Sequence, residues 1–371
     1  MRQQSLATYW RNFDFWLLGS VILLIIFGVT MIRSAVAGNI ELADLNLVQR
    51  QVIFALAGLF LAFVVTAIDY RLWASVSRPL YIGTVGLLVA LYVIGSAFYG
   101  SARWFDTGVI LIQPSEIAKI SLILTLADYF TRNMLRIQTL QGIAYSFFYT
   151  MGITTWILLQ PNLSTSIVML VLWATMLWVS GLRLRHLAMF ITAAIVTPIL
   201  AFPFLVDYQQ RRILNFLFPD ENARHGEIYN IQQALIAIGS GGWLGQGYGH
   251  GTQVQLRFLK VRWSDFIFSA MAQEFGFIGT VLVILVLLFV IIRCLRAARL
   301  AADTFGALIA YGVATMIAFQ AMVNIGVNVN LMPATGLTLP FVSYGGSSLL
   351  STMIGIGLVE SVILRHRSLE F

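Results

Sequence analysis

Hydrophobic positions along this chain neither alternate nor trace one helix face; they fill long runs broken by short polar stretches. Runs long enough, or nearly so, to cross about 30 Å of hydrocarbon start near Phe15, Val52, Leu80, Ile117, Ile143, Leu163, Leu187, Phe266, Phe305 and Phe341. The pattern predicts an all-α polytopic membrane protein of about ten transmembrane helices. The one long connection, residues 207–264, falls between the seventh and eighth runs and reads as a large loop. No internal repeat or low-complexity tract divides the chain, so residues 1–371 are expected to form a single membrane domain.

Composition supports this reading. Hydrophobic residues make up 59% of the chain and charged residues 11%, more apolar surface than the core of a soluble domain uses. The formal charge of +7 would suggest nucleic acid in a soluble protein. Here the arginines bracket the apolar runs, as topology signals do, and no nucleic-acid partner is expected. Thirteen arginines, from Arg2 and Arg11 to Arg365 and Arg367, lie at the termini and in the even-numbered connections. Only Arg33, Arg50 and Arg103 lie in the short odd-numbered ones. Both termini are therefore expected in the cytoplasm and the 207–264 connection outside, since long loops are exempt from the charge rule. The run from Phe15 to Met31 exceeds a usual signal core and reads as a retained first helix. Cys294, the single cysteine, excludes an internal disulfide and reads as a small buried hydrophobe.

With that topology, most unusual polar segments fall on the outer side. Glu116 and Lys119 stand three residues apart after Pro114, so they share a helix face. Proline and an acid in a first turn are ordinary helix-start chemistry, whereas an ammonium inside a membrane helix often marks an ion or substrate path. Asp265 precedes the eighth run and reads equally as a helix cap or as a partly desolvated general base. The glycines at 239–251 and at Gly345 and Gly346 match no nucleotide-binding fingerprint and read as turns. Glu274, Asn324, Asn328 and Asn330 are intramembrane polar groups of the kind that bond between helices. The four histidines show no metal-ligand spacing.

Five segments in this order carry a resemblance: Gln113 to Lys119 (QPSEIAK), Gln233 to Gly242, Gly251 to Gln253, Asp265 to Phe268 (DFIF) and Leu339 to Ser347 (LPFVSYGGS). Together they resemble the shape, elongation, division and sporulation family of peptidoglycan glycan-strand polymerases. Gly251 to Gln253 and the basic end Arg365 to Arg367 look more like the elongation branch. Asn324 to Asn328 and Gly336 to Pro340 lean toward the division branch. Two segments depart from the family pattern: Lys260 to Ser264 replaces its usual Pro-Glu and His-Thr, and Asn162 stands where its fifth external turn carries Asp.

The resemblance implies polymerisation of lipid II on the outer face of the bacterial cytoplasmic membrane, in elongation and shape maintenance. It implies Asp265 as base and Lys119 and Arg103 as phosphate partners, with Glu116 holding Lys119. The substrate cavity would be lined by Gln113, Gln160, Ser343, Tyr344, Gly345, Gly346 and Ser347. It also implies a class B penicillin-binding protein as partner and a divalent cation, magnesium or manganese, whose ligands the sequence does not specify. A lipid II flippase using the Glu116 and Lys119 pair, or a non-catalytic scaffold of the cell-wall machinery, are the alternative functions.

Overall fold

The computed structural model describes residues 12–37, 46–99, 104–106, 111–183, 202–219 and 226–366, with isolated positions between 186 and 200. Its long helices are α1 (Phe15–Val36), α2 (Leu47–Ala67), α3 (Leu72–Tyr99), α4 (Pro114–Arg132), α5 (Leu140–Leu159) and α6 (Leu163–Val179). After the 207–264 connection come α10 (Ile267–Leu300), α11 (Thr304–Asn328) and α12 (Gly346–Leu364). Seven of these are long and apolar enough to cross a membrane. Helix α6 is apolar but shorter, at 17 residues, and α4 carries Glu116, Lys119, Asp128 and Arg132. The helix expected near Leu187 lies largely outside the described residues, so the count of ten is not reached among them.

Apolar surface decides the layering. Helices α1 to α3 keep many large side chains exposed, among them Trp16, Ile53, Phe60 and Ile82, as lipid-facing helices do. Helices α4 and α12 are buried almost all round. Small residues set the closest packing, as expected where apolar burial gives helices no mutual driving force in lipid. Gly357 of α12 lies against Ala62 of α2, and a side chain at Gly346 would run into the Phe54 ring. The final helix begins at Gly346 rather than near Phe341. Residues 339–345 form an irregular buried segment in which Phe341 adopts φ 67°. Short apolar runs do not distinguish helix from buried turn.

The 207–264 connection is largely helical rather than a loop. It contains α7 (Asp207–Leu217), α8 (Glu227–Gly241) and the single turn α9 (Thr252–Gln255). Helix α8 packs against α10 and delivers a glycine-rich turn into a break in it. At Gly276 the backbone turns to φ 67°, which interrupts the helical ladder. The turn replaces the lost bonds: Gln246 and Gly247 N–H donate to the Gln273 and Glu274 carbonyls at 2.9 and 3.0 Å, while Phe277 and Ile278 N–H donate to Gly242 and Trp243. Gly245, at φ 82°, leaves no room for a Cβ against the Glu274 carbonyl. These glycines therefore permit close backbone approach inside apolar surroundings, where an unpaired peptide group is costly.

Candidate functional site

Three segments converge at the end of the bundle where α4, α10 and α12 begin. The first is the approach to α10. Asp265 precedes the Phe266 cap of that helix, which has no side-chain cap bond, and its Oδ1 accepts a 2.9 Å bond from Ser264 Oγ. Its main-chain carbonyl is held from α11, accepting Asn324 Nδ2 at 3.1 Å and Asn328 Nδ2 at 2.9 Å. Asn328 Oδ1 in turn accepts both N–H and Oγ–H of Ser269, so the first turn of α10 and the carbonyl of Asp265 are fixed by one side chain. Asn328 thus bonds between α11 and α10, as its intramembrane position predicts, while Asn324 also donates to the Leu337 carbonyl at 2.8 Å. Their target, the backbone of the candidate base, has no sequence signal.

The second segment, 339–345, docks on the first. Ser343 Oγ donates to the Ser264 carbonyl at 2.8 Å and accepts Leu339 N–H at 2.8 Å, while Tyr344 N–H donates to the Trp263 carbonyl at 2.9 Å. Gln51 of α2 was not expected here. Its side chain is 1% exposed and bridges the Ser343 carbonyl and Gly345 N–H, each at 3.4 Å. Burial raises the Tyr344 phenol pKa, an effect that nearby Arg50 opposes. Val261 (φ 51°) and Phe341 (φ 67°) adopt left-handed conformations in the two docked segments. Each such residue costs on the order of 1–3 kcal/mol, strain of a kind that concentrates at functional sites.

The third segment is the start of α4. Lys119 is completely buried, and its Nζ lies 2.7 Å from Glu116 Oε2. Ser351 of α12 donates to the same carboxylate oxygen at 3.4 Å, and Gln113 N–H donates to Ser347 Oγ at 3.1 Å. The stretch 343–351 thus links the acid segment to the ammonium segment. Gly346 fits against Phe54, and Gln160 Nε2 donates to the Leu88 carbonyl at 2.9 Å. Arg103 lies outside the described residues. The basic approach to Asp265 also resolves differently than its charge suggests: Arg262 is buried and donates to the Ala35 carbonyl at 2.6 Å, tying the loop to α1.

Burial sets the acid–base character of Asp265. Burial pushes its carboxyl pKa above the ordinary value, while the Ser264 hydrogen bond and the Arg212 charge pull against that rise. A carboxylate of raised pKa accepts a proton more readily, and Lys119 supplies positive charge in the neighbouring segment.

Such a helix bundle, with an acid and a buried ion pair gathered at one end, is a multi-pass membrane protein with a polar site of enzyme type. The family model described as cell cycle protein, covering FtsW, RodA and SpoVE, matches residues 15–368, and the chain belongs to this family. Peptidoglycan glycosyltransferase MrdB of Escherichia coli K12 is 35% identical over 365 residues, which is 98% of this chain and 97% of that protein. A probable peptidoglycan glycosyltransferase FtsW of Geobacter metallireducens is 34% identical over 96% of each chain. One chain of a peptidoglycan synthase complex, solved to show how polymerization and crosslinking are coordinated, superposes with TM-score 0.80 at 30% identity, covering 95% of this chain and 97% of that one. The rod shape determining protein RodA of Thermus thermophilus gives TM-score 0.71 at 29% identity, covering 97% and 99%.

Proposed function

We propose that this protein is a peptidoglycan glycosyltransferase of the elongation type that polymerises lipid II at the outer face of the cytoplasmic membrane. The observation that carries the reading is the joining of Asp265 to the Glu116 and Lys119 pair through the 343–351 stretch. In the reaction the 4-hydroxyl of the acceptor sugar attacks the anomeric carbon of the donor. A C–O bond forms there while the bond from that carbon to undecaprenyl pyrophosphate breaks. Asp265 takes the hydroxyl proton, and Lys119, joined by Arg103 in this reading, neutralises the departing pyrophosphate. Glu116 and Ser351 orient the ammonium.

Among the described residues no three acidic, histidine or cysteine side chains converge on a metal position. A magnesium or manganese ion would supply further positive charge to the departing pyrophosphate, and no step above depends on it.

The test is lipid II polymerisation by the purified protein, alone and with a class B penicillin-binding protein. Glycan strands are expected, with higher yield when the partner is present. Lipid II crossing vesicle membranes with no polymer formed would establish the flippase alternative instead.

The side assignment rests on the thirteen-to-three arginine bias. Single cysteines at Tyr248 and at Arg299, in a chain whose Cys294 is replaced by Ala, test it in intact cells. An impermeant maleimide is expected to label position 248 and spare 299; labelling of 299 would reverse the orientation.

A further inference from the structure

A carboxylate that takes a proton from a substrate hydroxyl must be held in direction as well as in place, and a residue just outside a helix has little backbone bonding to hold it. Asp265 is such a residue. Phe266 caps α10, and its carbonyl accepts the first helical bond, from Ala270 N–H. The Asp265 carbonyl lies outside that ladder. It accepts instead Asn324 Nδ2 at 3.1 Å and Asn328 Nδ2 at 2.9 Å, two donors for its two lone pairs. Both asparagines are buried and stand one turn apart on one face of α11.

Asn324 also reaches the surroundings of the carboxylate. The same Nδ2 donates to the Leu337 carbonyl at 2.8 Å. Gly336, just before Leu337, lies against the acid itself, a Cβ there falling 3.6 Å from Asp265 Oδ2. Its φ of 73° is one that glycine adopts without strain. From Leu337 the chain leads back to the acid: Leu339 N–H donates to Ser343 Oγ, and Ser343 Oγ donates to the Ser264 carbonyl, each at 2.8 Å. Asp265 therefore sits in a closed ring that runs through Asn324, the 337–343 segment and Ser264, with Asn324 as the member supplied by α11.

We propose that Asn324, supported by Asn328, is a positioning residue for the base: its amide fixes the peptide of Asp265 together with the wall against its carboxylate, and so sets the direction in which the acid accepts the proton. The proposal rests on the glycosyl-transfer reading above. Direction matters because displacing a reacting group by about 1 Å can cost on the order of 10²-fold in rate.

Asn324→Leu keeps the approximate volume of the side chain and removes the donors. In lipid II polymerisation by the purified protein, kcat is expected to fall by about 10²-fold with KM unchanged, because Asn324 touches no substrate in this assignment. The acid limb of kcat/KM should also move to lower pH. Burial outweighs Ser264 and Arg212 in setting the Asp265 pKa above its ordinary value, and a carboxyl free to turn toward water loses that rise. On Asp265→Asn, whose base is already gone, adding Asn324→Leu should slow the residual rate no further. Asn324→Gln, with its amide one methylene farther out, should recover part of kcat. If Asn324→Leu does not fold, Asn324→Ser, whose short hydroxyl cannot hold both carbonyls, carries the same readings. Parent-like kcat in either folded variant would overturn the assignment. So would a loss that leaves the acid limb in place and adds in full to that of Asp265→Asn, the signature of an asparagine that only packs α11. A parent protein that forms no polymer would sink the glycosyl-transfer reading and this assignment with it; normal polymer with an indifferent Asn324 would sink only this one.

Discussion

Purified Asp265→Asn protein is expected to fold, bind its partner and lose on the order of a hundredfold or more in lipid II polymerisation. Asparagine keeps the size of the side chain and can still accept the Ser264 hydrogen bond, and the Asn324 and Asn328 contacts go to the backbone carbonyl. The substitution therefore removes proton acceptance and little else. The pH dependence carries an independent signature. Since burial raises the Asp265 pKa, the active carboxylate form is lost at a higher pH than for an exposed acid. The acid limb of kcat/KM should lie above the ordinary carboxylate range and should disappear from the residual activity of the variant.

Stability has the opposite sign. A carboxyl whose folded pKa exceeds its unfolded value stabilises the fold when protonated, and that contribution is lost as pH rises through the folded pKa. Above the unfolded pKa the burial of Asp265 is therefore a cost to the fold, so Asp265→Asn should melt at the same temperature as the parent or higher. A variant that retained most of its rate would reduce Asp265 to a structural acid and send the search for a base to Glu116.

These residues also show what sequence reveals of such a site. Apolar run length places most of the helices because hydrocarbon thickness imposes it, and Asp265, Glu116 and Lys119 stand out because charge is rare in such runs. What escapes is everything set by partners distant in the chain. The break at Gly276 lies between two apolar stretches of one continuous hydrophobic segment, and it is tolerated only because Gln246 and Gly247 satisfy the freed carbonyls. The amphipathic α7 and the half-buried α8 lie in a connection that polar composition marks only as long. Gln51 reads as one polar residue at the edge of an apolar run, yet it holds the Ser343 to Gly345 turn from nearly 300 positions away.

The second large effect is expected at the buried ion pair, where a single substitution mixes two consequences. Lys119→Ala removes the cation but also leaves Glu116 buried without its counter-ion, and breaking one side of such a pair costs about 3–5 kcal/mol. Loss of activity alone would then report misfolding as readily as chemistry. Comparing Lys119→Met, Glu116→Gln and the double variant separates them, because replacing both members by neutral groups of similar shape often leaves stability nearly unchanged. If Lys119 contacts the departing pyrophosphate, Lys119→Met should lose about 10²–10³ in kcat, the scale of losing one charge-stabilising donor. The double variant should remain as slow although its melting temperature recovers, and Glu116→Gln should lose less, since the ammonium persists with Ser351 still nearby. If the pair only holds α4 in place, the double variant should regain activity together with stability. Polymerisation rate and melting temperature measured on the same three preparations decide between these outcomes, and recovered polymerisation in the double variant would remove Lys119 from the phosphate site.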